Sequence, residues 1–273
     1  MNLPHFSGRT LVICPHPDDA CFSTGGLLLK RTSKEVVILT VFSKSRDAPN
    51  LKLLKPFFKA IKVLNLNFLR GTVVEVVSKE RQKEDRRFCD SLCAVQKILS
   101  FKDSSLRGYI QPCFTNEADI SARALDKEPI YNAVFRAIEK CVFSGAYTSI
   151  LCPLAVGDHV DHLIVLKAFL QILKKKRNIP AEVFFYEDLP YASAYKLDFI
   201  SSLAWKRTGS NTPLFVDITI EMPLKQKLVD IYRSQSTRER KERILYHAKR
   251  LSMSRDKRDN AEGYFERIWR IAP

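Results

Sequence analysis

Thr10-Leu11-Val12-Ile13-Cys14-Pro15-His16-Pro17-Asp18-Asp19 is the stretch on which the reading of this chain turns. Four apolar residues in a row, Val and Ile among them, have the composition of a short buried strand. Pro15 and Pro17 end it, because neither can donate to a neighbouring strand. An imidazole and two adjacent carboxylates follow at once. Ser23, Thr24 and Gly25-Gly26 then lead into Leu27-Leu28-Leu29-Lys30, where a helix is expected to begin. In an open α/β sheet, ligands bind in the crevice at the carboxyl ends of the strands. His16, Asp18 and Asp19 fall at that place.

Working outward, residues 35–42 (EVVILTVF) read as a second buried strand. Strand, helix and strand joined by short links make a βαβ unit and imply a parallel sheet. Residues 44–50 form a polar loop that would border the site, 51–66 an amphipathic basic helix, and 72–77 a strand. From 79 to 99 the period is helical, with Phe88, Leu92, Val95 and Leu99 on one face; Arg81 and Glu84 are neighbours on that helix. An irregular connection is expected over 100–126. Then come a helix at 129–142, a strand at 149–152, a helix at 163–176, and strands at 181–186 and 214–220. The expected fold is a Rossmann-like α/β three-layer sandwich with a mainly parallel sheet. It forms a single domain, 1–273, with an α/β core over 1–222 and a C-terminal helical extension, 223–273, packed on it.

A second stretch repeats the logic of the first. Pro153-Leu154-Ala155-Val156-Gly157-Asp158-His159-Val160-Asp161-His162 closes a buried strand with Pro, turns at Gly, and opens the next helix with ligand-type side chains. Three of the five histidines lie in these two loops. Two imidazole nitrogens and one carboxylate oxygen make a three-ligand site with one position left for water, the usual form of a catalytic zinc centre. Zinc lowers the pKa of that water to roughly 7, and a further carboxylate can accept its proton. Adjacent Asp18 and Asp19 suit such a division, since consecutive side chains in a turn diverge. The plainer alternative is two loops of solvated polar residues and helix caps.

The pattern PHPDDxxxSxGG followed by GxHxDH resembles the PIG-L/LmbE-type zinc-dependent N-deacetylases, which act mostly on molecules containing N-acetylglucosamine. Arg81-Gln82-Lys83-Glu84-Asp85 is similar to the RxxED helix of that family. Tyr186-Glu187-Asp188-Leu189-Pro190-Tyr191 is similar to its YEDxPY strand end, Tyr232-Arg233-Ser234-Gln235 to its YxSQ, and Phe265-Glu266-Arg267-Ile268-Trp269 to its ERxW tail. The resemblance covers nearly the whole chain, patchily over 45–78 and 108–147. It implies His16, Asp19 and His162 as metal ligands, zinc or ferrous iron as the ion, and Asp18 as general base. It further implies that His159 stabilises the oxyanion or helps protonate the leaving amine, that Asp161 orients His159, and that Arg81 contacts the sugar or supports the site. Ala20 replaces the Glu many members carry, as in a PHxDDA branch. Gly157 stands where some members carry a Tyr, and Asp158 where a Gly is often found. Asp158 would either keep His159 protonated or turn outward.

Glu187 and Asp188, at a strand end, are expected to line the substrate cleft and bind sugar hydroxyls, or else to cap the following turn. Gly25-Gly26 fits close helix–sheet packing better than a phosphate cradle, and Trp205 and Trp269 read as packed residues. A formal charge of +15 is compatible with nucleic-acid binding. Without a nucleic-acid motif or interleaved aromatics it reads instead as solvated surface. Seven scattered cysteines with no CxxC pair imply reduced thiols in a cytoplasmic protein. No run is long enough for a membrane span. The expected activity is hydrolysis of an N-acetyl group on an amino sugar or glycoside, a homo-oligomer being left open. The rivals are another acyl or phosphoester hydrolysis on the same scaffold, or a non-catalytic sugar- or nucleic-acid-binding protein.

Overall fold

The computed structural model describes residues 8–30, 35–50, 70–109, 113, 125, 128–175, 179–255 and 263–271. Seven strands form one sheet in the order β3-β2-β1-β4-β5-β7-β6. They are β1 (Arg9–Cys14), β2 (Glu35–Thr40), β3 (Val95–Ile98), β4 (Ser149–Pro153), β5 (Glu182–Tyr186), β6 (Thr212–Asp217) and β7 (Phe265–Arg270). The first five run parallel; β7 is antiparallel to both β5 and β6. Seven helices are described: α1 (Asp19–Lys30), α2 (Arg70–Ser91), α3 (Tyr131–Ser144), α4 (Val160–Lys175), α5 (Leu197–Thr208), α6 (Met222–Ile231) and α7 (Arg238–Arg255). β1, β2 and β4 are buried along almost their whole length, as continuous apolar runs in a parallel sheet covered on both faces must be.

The expected α/β class and mainly parallel sheet are what the structure has, but several elements differ from expectation. The helix after β1 starts at Asp19, so Gly25 and Gly26 lie inside it. A Cβ on Gly26 would stand 2.7 Å from the Ile218 side chain, which is close packing and not a phosphate cradle. Residues 72–77, expected as a strand, belong to α2. Val73 and Val77, one turn apart, are buried while Val76 is 47% exposed, so helical packing overrides β-branched propensity. The helix expected to run to residue 99 stops at Ser91. Cys93, at φ 49°, reverses the chain, and Val95 and Leu99 belong to the following strand region rather than a helical face. The 51–66 helix lies outside the described residues.

The largest departure is at the C-terminal end. The segment expected to be mainly helical carries β7, which inserts between β5 and β6. Glu266 on that strand accepts the backbone N–H of Gly26 (2.9 Å) and Leu27 (2.7 Å) and the ammonium of buried Lys225 (2.6 Å), tying the strand to α1 and α6. All seven cysteines are unpaired, Cys14, Cys21, Cys89 and Cys152 being buried. Trp269 is buried as expected, whereas Trp205 is 59% exposed. Among the described residues no helix is long and apolar enough to cross a membrane.

Candidate metal centre

The order of the parallel strands reverses between β1 and β4: from β1 the chain adds β2 and β3 on one side, then returns to add β4 and β5 on the other. A crevice opens at the carboxyl ends of strands at such a switch point. The loop after β1 delivers His16 and Asp18, and α1 opens with Asp19. The loop after β4 delivers His159, and α4 opens with Val160, Asp161 and His162. Both helices thus point their positive N-terminal ends at the crevice, where carboxylates are favoured.

Three donor atoms converge there. His16 Nδ1 lies 3.3 Å from His162 Nε2 and 3.5 Å from Asp19 Oδ2, and His162 Nε2 lies 3.6 Å from that same oxygen. Ligands about 2.0–2.1 Å from a tetrahedral ion sit roughly 3.3–3.4 Å apart, so the triangle fits a small divalent cation. A third imidazole, His159, places a nitrogen within 4.8 Å of the other two. Its Nδ1, however, already accepts the Asp161 backbone N–H at 3.2 Å. The field also favours positive charge. Burial opposes a proton on His16, but its bonds to Asp161 and Asp19 outweigh this and lift its pKa to about 10. Burial would raise Asp19, yet His162 and His16 bring it down to about 2.

Each of the two imidazoles in the triangle gives its other nitrogen to a buried carboxylate. His16 Nε2 meets Asp161 Oδ2 at 2.9 Å, and His162 Nδ1 meets Asp188 Oδ1 at 2.6 Å. Metal-binding histidines are commonly oriented in this way. Two expectations change as a result. The Asp161 carboxylate serves His16, not His159, because α4 turns it toward β1. Asp188 is buried against His162 and the Val156 N–H (2.8 Å), with 1% of its surface exposed.

Asp18 is mostly buried. Its Oδ1 accepts Arg81 Nη2 at 3.1 Å, and its Oδ2 lies 3.9 Å from Arg240 Nη1. Arg81 is only 4% exposed, so it supports Asp18 and is not open to a sugar. Glu187, expected in the cleft, is buried too; it accepts His247 Nε2 (2.8 Å), Trp269 Nε1 (2.9 Å) and Arg267 Nε, joining β5 to α7 and β7. Asp158 turns outward to pair with Arg207, which also donates to the Leu154 and Ala155 carbonyls. Burial, with His16 and His162 adding to it, holds His159 well below its usual pKa. Asp158 therefore does not keep it protonated.

The loop carrying His159 is left-handed at Ala155, Gly157 and Asp158 (φ 61°, 93° and 55°), a conformation that persists only when its surroundings enforce it. Arg207 and Asp188 do so. A Cβ on Gly157 would stand 2.6 Å from Tyr191 Cβ. The Tyr191 ring packs edge-on to His162, with centroids 5.6 Å apart, and 6.0 Å from that of His159. Tyr191, from the turn after β5, thus packs against both the Gly157 turn and the histidine rings. Sequence reasoning assigned no site role to Arg107, Tyr191 or Arg240. Arg107 lies within a stretch read as an irregular connection, and Arg240 in a helix full of basic residues, so neither carries a spacing that singles it out.

Known proteins resemble this chain in family and in fold. Residues 11–173 match the PIG-L family, described as GlcNAc-PI de-N-acetylase. A 2'-N-acetylparomamine deacetylase of Streptomyces fradiae is 31% identical over 247 residues, covering 89% of this chain and 79% of that one. One of the same name from Niallia circulans is 24% identical, covering 82% and 80%. Among solved structures, a deacetylase of the teicoplanin biosynthesis pathway superposes with a TM-score of 0.65 at 22% identity, over 97% of this chain and 98% of the other.

Proposed function

The chain belongs to the PIG-L family of de-N-acetylases, and on that footing we propose that it hydrolyses the N-acetyl group of an amino-sugar-containing small molecule, with Asp18 as general base and zinc held by His16, Asp19 and His162. The observation that carries this is the triangle of donor atoms with edges of 3.3, 3.5 and 3.6 Å at the strand ends. Two nitrogens and one oxygen suit zinc. A zinc ion bound there would acidify a water and polarise the amide carbonyl.

The chain's own residues supply the proton handling. Asp18, held at one oxygen by Arg81, accepts the proton of the attacking water and passes it to the departing amine. His159, its Nδ1 occupied by the Asp161 N–H, carries its single proton on Nε2. It therefore offers a neutral N–H to the developing oxyanion, the kind of fixed donor that stabilises such charge. Acetate and a free amino sugar result.

The relatives named as 2'-N-acetylparomamine deacetylases make N-acetylated aminoglycoside intermediates the first substrates to try. The test is zinc analysis of the purified protein together with acetate release across 2'-N-acetylparomamine and other N-acetylglucosamine conjugates. One zinc per chain with acetate release is expected. A folded protein that takes up zinc but releases no acetate from any of them would sink the substrate reading.

A further inference from the structure

We propose that Arg107 is a positioning residue of the metal centre, holding His16 in place through Asp161. This rests on the assignment of His16 as a ligand. Asp161 has no solvent exposure, and three donors share its two oxygens. Oδ2 takes His16 Nε2 and the Ser104 backbone N–H, each at 2.9 Å, and Oδ1 takes Arg107 Nη1 at 2.7 Å. Among the described residues Arg107 is the one cation on this carboxylate besides the imidazole it orients.

The guanidinium is held through Nη1 and between two rings, its Nε and Nη2 being buried without a hydrogen-bond partner. Nη1 also donates to the Lys102 carbonyl at 3.0 Å. The Arg107 carbon that bears the three nitrogens lies 5.1 Å from the centre of the Phe42 ring and 5.4 Å from that of Tyr109, over both rings. Glu128, which accepts from the Tyr109 hydroxyl, stands 3.8 Å from Arg107 Nε. Phe42 in turn lies against His16, ring centres 6.3 Å apart. One short segment after residue 100 therefore fixes both the carboxylate behind His16 and the ring beside it.

The two sides of the centre differ. His162 is backed by Asp188, which has the Val156 N–H but, among the described residues, no arginine. Asp161, equally buried, is balanced by a full cation. A buried carboxylate without a cation is costly. Removing Arg107 would let Asp161 move or lose its hold on the ring, and His16 Nδ1 would no longer be pre-set toward the ion. A planar fork pre-organised by stacking does this in a way a lysine cannot.

The experiment is zinc affinity of the metal-free protein, read by competition with a chromophoric chelator using zinc alone. R107A should bind zinc about 10–100-fold more weakly, the usual loss when a group behind a ligand is removed. R107K should recover part of it, and D161N should lose at least as much as R107A. The double variant R107A/D161N should bind no more weakly than D161N, because the arginine acts through that carboxylate. A merely structural arginine would lower thermal stability and leave affinity unchanged, or its loss would add to that of D161N; either outcome overturns the proposal. If R107A fails to fold, R107Q carries the comparison, and wild-type affinity in R107Q overturns it equally. A wild-type protein that binds no zinc overturns the ligand assignment and this proposal together, whereas wild-type binding with unaltered R107A overturns the arginine's role alone.

Discussion

Asp188 Oδ1 lies 2.6 Å from His162 Nδ1, so a residue at the end of β5 dictates which nitrogen the second histidine presents to the centre. With Nδ1–H given to that carboxylate, Nε2 is the nitrogen left unprotonated for an ion. The same carboxylate takes the Val156 N–H, so it also fixes the strained loop that carries His159. Asp188→Asn keeps the shape and removes the charge. It should weaken zinc binding about 10–100-fold, measured by chelator competition. Unchanged affinity would show that His162 is oriented by packing alone.

Asp18 lies beside the donor triangle and is held by Arg81. Asp18→Asn should lower kcat by about 10²–10⁴-fold, the span of general acid–base catalysis, while zinc content stays at one per chain. Loss of zinc in this variant would instead make Asp18 a ligand. His159→Gln should cost roughly 10²–10³ in kcat with little change in KM, as removal of an oxyanion donor does. A variant whose KM rises while kcat holds would place His159 in substrate binding.

The cluster around Glu187 makes a prediction about acid stability. Burial lowers the pKa of His247 in the folded protein, and Arg250 and Arg267 add to this, although Glu187 pulls the other way. Arg250 Nη2 donates to its Nδ1 at 2.8 Å, leaving Nε2–H for Glu187. With the folded pKa below the unfolded value of about 6.5, only the unfolded chain takes up this proton between the two. Stability is therefore complete above about pH 6.5 and falls below it, by up to about 1.4 kcal/mol per pH unit for one proton. Glu187 is shifted down, by Arg267 and His247 against the effect of burial, so its own loss begins only near pH 4. Melting curves at pH 8, 6.5 and 5.5 should show the drop, and His247→Gln should flatten it. Glu187→Gln should destabilise by about 3–5 kcal/mol, because it strands Arg267 without its carboxylate. Identical pH slopes in the wild type and His247→Gln would refute the assignment.

Two glycines separate packing from propensity. Gly26→Ala drives a Cβ to 2.7 Å from Ile218 and should destabilise by about 1–3 kcal/mol. A Cβ on Gly71, in the first turn of α2, meets nothing within 4 Å. Gly71→Ala should be neutral or stabilise by up to about 1 kcal/mol. Chemical denaturation of both variants checks the contrast, which fails if the two shift alike.

The parallel core and the two site loops were legible because their signals are local. Leu11–Cys14 and the run from Ile150 to Cys152 are apolar without interruption, and each ends at a proline followed by ligand-type side chains. What escaped was decided by distant partners. Residues 72–77 have strand-like composition, yet Val73 and Val77 pack as one helical stripe. Nothing near Phe265 announces that its strand will find β5 and β6 across the intervening chain. Glu187 and Asp188 are adjacent acids, and only the fold sends the first to Arg267 and the second to His162. Asp161 shows the same limit: its position one residue before His162 suggests a nearby partner, but its carboxylate reaches back 145 residues to His16.

Because β7 sits between β5 and β6, the strand at 212–217 can join the sheet only after residues 265–270 exist. On the ribosome the five parallel strands, with both ligand loops, emerge well before that. A nascent chain can thus assemble the crevice while Glu187 still awaits Arg267 and Trp269, and α1 awaits Glu266. The making of residues 265–270, and not that of the reactive residues, is therefore the step on which the locking of this sheet depends.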